Sequence, residues 1–356
     1  MKRILHIHQA FILGGVETLV MNIYRHIDRN QIQFDFLITT PQEVYFKTEI
    51  KQLGGNIFYI GKKRGIINFV CFMVKLYRFL KVHHYDVIQT HFSATGGLDC
   101  LSALWAGVTK RYIISHNSLK IRIWKRPFFQ FFIKYFPTNR LAVSRQAGLA
   151  LYGKLPFQII KNGIDSKRFC FDEKIRLKIR RELNLQDKFV VGNVSRFSKE
   201  KNQSFLIDIF NNIHKKNPFA VLMLVGSGKT EPQIKRKVKK LHLGESVLFL
   251  GDRKDCEILY QAMDSFVFPS KGEGFGIVAI EAQCAGLPCF MSDGVPQEAF
   301  ICNSTQISLT KSAKEWAQII LENTRQFVRR DGSMFVRQAG FDIHDTARQI
   351  QEEYLK

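Results

Sequence analysis

Two successive doubly wound α/β domains are what this sequence predicts. Short apolar runs alternate with amphipathic helical stretches along most of its length, the pattern of parallel strands covered by helices on both faces. The alternation stops near Lys161–Asp165 and restarts at Phe189. The chain's 356 residues, 46% of them hydrophobic and 24% charged, are also more than one ordinary core organises and suit two.

The first half opens with the strand Arg3–Ile7, a loop holding Gly14-Gly15, and a helical pattern over Glu17–His26 that sets Leu19, Val20 and Ile23 on one face. Strands follow at Phe34–Thr39, Ile57–Ile60, Val87–Thr90, Tyr112–Ser115 and Leu141–Ser144, with helical stretches near 67–82, 96–106 and 124–135. In the second half strands fall at Phe189–Val194, Ala220–Val225, Val247–Leu250, Ser265–Phe268 and Pro288–Met291. Helices are expected at Lys201–Lys215, 231–241, 254–263 and 276–286. The expected domains are 1–163 and 164–340. The remainder, 341–356, is an amphipathic helix (about 344–355) able to pack on either domain or cross back to the first. Ligands of such folds bind outside the carboxyl ends of strands, so a site in a cleft between the domains is expected.

Lys and Arg number 53 against 31 Asp and Glu, a net +22, so anionic partners are expected. Residues 1–163 hold 23 basic and 7 acidic residues, and between Asp99 and Asp165 eleven Lys and Arg occur with no acid. Within that stretch Ile121–Phe136 sets aromatic rings beside Arg122, Trp124, Lys125, Arg126 and Lys134. Such a run suits an anionic membrane surface or an acceptor. A buried helix with snorkelling cations is the alternative. No helix-turn-helix, zinc-finger or RNA-recognition signature accompanies the charge, so specific nucleic-acid binding is not expected.

Seven cysteines are scattered, with no CxxC and no Cys/His spacing typical of a metal site, which argues for reduced thiols and no structural metal. The opening apolar run is short for a secretion signal and no stretch is long enough to span a bilayer. The expected location is cytoplasmic, peripheral on the inner face of the cytoplasmic membrane.

Four clusters fall at strand-to-helix turns. Gly14-Gly15-Val16-Glu17 brings backbone close to a helix start, where an anion is favoured. Ser195–Asn202 places Arg196, a planar fork for phosphate oxygens, and Lys201 after a buried strand. Pro269–Ala282 is glycine-rich: the N–H groups of Phe275, Gly276 and Ile277 open a helix and suit a diphosphate. Glu273 precedes that helix and Glu281 lies within it, two hydrogen-bond acceptors suited to a polyol. His116, in Ile113–Ser118, ends a first-domain strand and is either a structural histidine or a partner of a transferred group.

Glu273 and Glu281, separated by seven residues and holding Gly274-Phe275-Gly276 between them, resemble the signature of retaining GT-B glycosyltransferases of family 4 (glycosyl transferases group 1). The resemblance spans nearly the whole chain. Gly14–Glu17 is similar to the N-terminal glycine loop, Ala142-Val143-Ser144 to the strand facing the other domain, and Lys161–Asp165 to the stretch entering the second domain. Ser195–Phe197 through Lys201-Asn202 resembles the Gly-Arg-Leu…Lys-Asn motif, with Ser195 where glycine is usual, a substitution that crowds the phosphate mildly. Leu224–Gly228, with Gly226, is similar to the loop beside the nucleotide.

The resemblance implies that Arg196 and Lys201 hold the donor diphosphate, helped by Gly15 and the backbone at Gly274, Phe275, Gly276 and Ile277. It implies that Glu281 binds ribose hydroxyls, Glu273 hydroxyls of the sugar, and His116 the sugar near the reacting carbon. Neither cofactor nor metal is implied, and the nucleotide sugar, UDP-linked by family habit, is a substrate. A hexose or N-acetylhexosamine would pass with retention to a membrane-lipid-linked saccharide in polysaccharide or glycolipid assembly. Same-face attack is the favoured mechanism, with Glu273 as nucleophile the alternative. Two other functions stand beside this one: a soluble transferase with a small phosphorylated acceptor, and a non-catalytic nucleotide-sugar or nucleic-acid binding protein.

Overall fold

The computed structural model describes residues 1–11, 14–40, 44–63, 65–92, 94–116 and 126–356, with all their side chains except those of Ile66 and Arg126. Contacts divide the chain into two compact units, Met1–Gly163 with Ile343–Lys356, and Ile164–Asp342.

The first unit is built on β1 (Lys2–His8), β2 (Ile32–Ile38), β3 (Ile57–Tyr59), β4 (Val87–Thr90), β5 (Lys110–Ser115), β6 (Asn139–Ala142) and β7 (Gln158–Ile159). They form one seven-stranded sheet in the order β3-β2-β1-β4-β5-β6-β7, every pair parallel. The helices are α1 (Gly15–His26), α2 (Lys47–Gln52), α3 (Ile66–His83), α4 (Gly96–Ala106), α5 (Arg126–Tyr135) and α6 (Arg145–Tyr152).

Alternation along β1 splits the unit's core in two. Leu5 and Ile7 join Leu37, Ile88, Phe72, Leu76, Cys100 and Ala103 under α3 and α4. On the other face His6 and Phe34 meet Tyr24 of α1 and Tyr354 near the chain's end. Two ion pairs, each on a buried carboxylate, anchor the sheet. Asp35 takes a bidentate Arg3 (2.6 and 2.7 Å) and the Tyr85 hydroxyl (2.8 Å). Lys63 Nζ lies 2.6 and 2.7 Å from the Asp99 oxygens and 3.9 Å from the Phe92 ring centre.

Several boundaries differ from the sequence expectation. The first helix begins at Gly15, so that residue is helical rather than part of a loop. The strand expected over Leu141–Ser144 ends at Ala142, because Ser144 turns to cap α6 by accepting from the Ala147 N–H. The expected helix 124–135 is described from Arg126.

The second unit carries β8 (Phe189–Val194), β9 (Ala220–Val225), β10 (Val247–Phe249), β11 (Ser265–Phe268), β12 (Cys289–Ser292) and β13 (Ser304–Ile307) in the parallel order β10-β9-β8-β11-β12-β13. Its helices are α7 (Glu173–Glu182), α8 (Gln203–Lys216), α9 (Glu231–Lys240), α10 (Cys256–Ala262), α11 (Ile277–Cys284), α12 (Ala313–Thr324) and α13 (Ser333–Gln338). Of these β13, α7, α12 and α13 lie outside the sequence expectation. The unit closes where it opened: Ile164 bridges Asp342 and donates its N–H to the Phe341 carbonyl at 2.9 Å. From there α14 (Ile343–Leu355) packs on α1 of the first unit. Lys2 Nζ donates to the Leu355 carbonyl and the Tyr112 hydroxyl to that of Glu353, each at 2.9 Å.

Candidate active site

In the second sheet the strand order runs outward in opposite directions from β8 and β11. That is the topological switch point at which doubly wound sheets bind ligands. Two of the predicted clusters, Ser195–Asn202 and Pro269–Gly276, leave the carboxyl ends of these two neighbours.

The loop after β9 clamps the first of them. Phe197 N–H donates to the Ser227 carbonyl at 2.8 Å and Ser195 N–H to that of Val225 at 2.9 Å. Gly226 (φ +121°) and Gly228 (φ +154°) permit this approach, since a Cβ on either would lie 2.3 Å from the carbonyl oxygen of Ser195 or Phe197. Held this way, Arg196 is exposed and its guanidinium has no partner among the described residues. The Ser195 hydroxyl is turned inward, donating to Asn193 Oδ1 (2.6 Å) and accepting from Gln203 Nε2 (2.9 Å).

Lys201 lies in the turn before α8 and meets Glu273. Its Nζ is 2.6 and 2.7 Å from the two carboxylate oxygens, and the Ser270 hydroxyl donates to the same buried group. Three residues on, Gly276 adopts φ +88° and opens α11. Among the described residues the backbone N–H groups of Phe275, Gly276 and Ile277 have no backbone partner within the chain. Gly274 leads into this start. Glu281, one helical turn further, accepts from the Tyr260 hydroxyl at 2.8 Å. Burial pushes its carboxyl up to about 7 against the pull of Tyr260 and Arg168. Lone cation, ion pair, unpartnered N–H groups and raised carboxyl thus belong to adjoining loops of one unit and the helix that the second of them opens.

His116 and Gly15 lie in the first unit. His116 directly follows β5, with its Nε2 2.9 Å from His91 Nδ1. His91 follows the adjacent β4, and its Nε2 is 3.1 Å from His6 Nδ1. His8 stacks on His91 with ring centres 3.9 Å apart. Ring nitrogens of His6, His8 and His91 all lie within 4.8 Å of one another, so the fold assembles a histidine cluster that sequence spacing does not display. Burial pushes His6 down to about 3 and His116 to about 4. Arg122, Trp124 and Lys125 lie outside the described residues, as does the side chain of Arg126, whose backbone opens α5.

Two doubly wound parallel sheets make the fold that of the GT-B class, the architecture of glycosyltransferases. The chain matches the family model Glycosyltransferase Family 4 over residues 13–168 and Glycosyl transferases group 1 over residues 175–322. It is 29% identical to EpsF, named as a glycosyltransferase of Bacillus subtilis (strain 168), over 99% of this chain and 96% of that one. It is 26% identical to the UDP-Gal:alpha-D-GlcNAc-diphosphoundecaprenol alpha-1,3-galactosyltransferase of Escherichia coli, over 82% of this chain and 79% of that protein. A crystal structure of Anabaena HepE in complex with UDP-glucose superposes with a TM-score of 0.84 at 21% identity, covering 99% of both chains. The chain belongs to glycosyltransferase family 4.

Tyr260, Ser270, His91 and His6 are the neighbours that sequence reasoning missed. For His91 the signal was present: like His116 it directly follows a short buried strand, and neighbouring parallel strands bring such residues together.

Proposed function

We propose that this enzyme transfers a hexose or N-acetylhexosamine, with retention and without a metal, from a UDP-sugar to a membrane-lipid-linked saccharide. The observation that carries the reading is the Lys201–Glu273 pair beside the unpartnered start of α11. Cleavage of the sugar–diphosphate bond builds negative charge on the leaving oxygen. Arg196, Lys201 and the three N–H groups are positive groups already in place to receive it. Glu281 takes the ribose hydroxyls. Both oxygens of Glu273 are engaged by Lys201 and one also by Ser270, an arrangement better suited to holding sugar hydroxyls than to attacking carbon. The acceptor hydroxyl then attacks on the face that the diphosphate leaves, which takes up its proton. UDP is favoured by the nucleotide bound to HepE, and the lipid-linked acceptor by the substrate in the name of the Escherichia coli relative.

A membrane-facing acceptor side also has support. Phe128, Phe131 and Tyr135 of α5, Trp105 of α4, and Ile67, Val70 and Val74 of α3 are exposed on three helices packed side by side. Lys75, Arg78 and Lys81 lie exposed on α3 among them. Rings and cations together suit an anionic interface. No helix among the described residues is long and apolar enough to cross a membrane.

The test is product formation with UDP-sugars on lipid-linked and on small phosphorylated acceptors, with the anomeric configuration read by NMR. A retained anomer on the lipid-linked acceptor, unaffected by EDTA, supports the proposal. Transfer only to the soluble acceptor, or inversion, contradicts it. Charge reversal of Arg122, Lys125 and Arg126 is expected to abolish pelleting with anionic vesicles, and unchanged pelleting would sink the docking part.

A further inference from the structure

We infer that a hydrogen-bonded chain from Tyr354 through Gln89 and His91 fixes the tautomer of His116, so that His116 presents an Nδ1–H donor to an oxygen of the transferred sugar. The inference rests on the proposed transferase function and on the role that the family resemblance implies for His116, contact with the sugar near the reacting carbon, and deepens it.

The direction of each bond follows from the one before. Tyr354 is fully buried, and among the described residues its hydroxyl bonds only Gln89 Oε1, at 2.5 Å. A buried hydroxyl has to place its proton on an acceptor, so the amide oxygen of Gln89 faces Tyr354. The amide nitrogen then faces His91 Nε2, 3.4 Å away. A second donor reaches the same atom. His6 Nδ1 lies 3.1 Å from His91 Nε2, while His6 Nε2 is buried with no partner. A proton on that Nε2 would be an orphaned buried N–H. On Nδ1 it is satisfied, and only a lone pair is left bare.

With two donors converging on its Nε2, a neutral His91 carries its proton on Nδ1. That N–H donates to His116 Nε2 at 2.9 Å. A neutral His116 must then carry its own proton on Nδ1, which has no partner among the described residues. Neutrality has structural causes: the rings of His6, His8 and His116 surround His91, and a charge on any one would face the others in a buried site.

The consequence is chemical. His116 acts as a hydrogen-bond donor to a sugar oxygen, and the nitrogen that serves as a base is occupied. His91, Gln89 and Tyr354 are positioning residues. Tyr354 belongs to α14, so the last helix of the chain is part of the device that sets His116.

Long-range proton–nitrogen NMR of the labelled full-length enzyme reads each tautomer without any turnover. His6, His91 and His116 are each expected as Nδ1–H at neutral pH. His116 as Nε2–H, or averaged between the two, would overturn the inference even in an active enzyme. Failure of the transferase assay with the expected tautomers would instead contradict the proposed function. Gln89→Leu combined with His6→Phe, which removes both donors to His91 Nε2, or Tyr354→Phe with His6→Phe if the first does not fold, is expected to shift His116 toward Nε2–H and lower kcat several-fold with the KM for the nucleotide sugar unchanged. An unshifted tautomer in a folded variant counts against the chain of bonds. His116→Asn, whose amide stands near the Nδ1 position, should keep at least ten-fold more kcat than His116→Gln, and the reverse order would overturn the donor role.

Discussion

Glu281 holds its proton up to about 7 in the folded enzyme because burial disfavours the carboxylate, whereas an unfolded chain releases it near the ordinary 4.5. Between those values the folded state binds more protons, so stability falls as pH rises through that window. Nucleotide binding follows the opposite sign, since ribose hydroxyls are best held by the ionised group. Melting curves at fixed salt should show the free enzyme losing stability from pH 5 to 7.5 while the nucleotide-induced shift grows. Glu281→Gln should flatten both trends, and unchanged slopes in that variant would count against the assignment. At Glu273 the expected effect is kinetic. Glu273→Gln should keep the fold but lower kcat by about 10²–10³, the usual loss when one preorganised polar group is removed, and steady-state assays check it. Arg196, Lys201 and Glu273 were legible as polar residues in the turns after apolar strands, where a parallel sheet presents its ligands, and Glu281 as a carboxylate inside an otherwise apolar helix. Tyr260 was not, because its contact with Glu281 joins two helices whose spacing no local pattern encodes.

Ser312 and Glu315 form a capping box at the start of α12, each side chain bonding the other's backbone N–H. Ser312→Ala should cost about 1 kcal/mol in denaturant unfolding. That Ser-x-x-Glu spacing is written in the sequence, yet α12 lies outside the sequence expectation because its periodicity sits among short polar segments. β13 was harder still: only its last residue is buried, so it lacks the apolar run that marks its neighbours. In the first unit the Lys63–Asp99 pair, 4% and 0% exposed at the side chains, ties the segment before α3 to α4. Lys63→Met strands a buried carboxylate and should cost about 3–5 kcal/mol, read by the same unfolding experiment.

The fold class was legible at the largest scale because strand–helix alternation needs only short-range periodicity. The destination of the final helix was not, since an amphipathic stripe does not name its partner. Its apolar face, with Ile350 and Tyr354 buried, covers α1 and the first sheet, and removing residues 343–356 should raise hydrogen exchange in β1, β4 and β5. On the proposed function the second unit holds a nucleotide diphosphate donor through residues gathered at the β8–β11 switch point. The most direct test is the melting-temperature shift with UDP, GDP and ADP, in wild type and in Glu281→Ala. A nucleotide at about 100 times its dissociation constant adds about 2.7 kcal/mol, so a clear shift with UDP that disappears in Glu281→Ala is the predicted result. No shift with any nucleotide, or one that survives the substitution undiminished, would contradict the account.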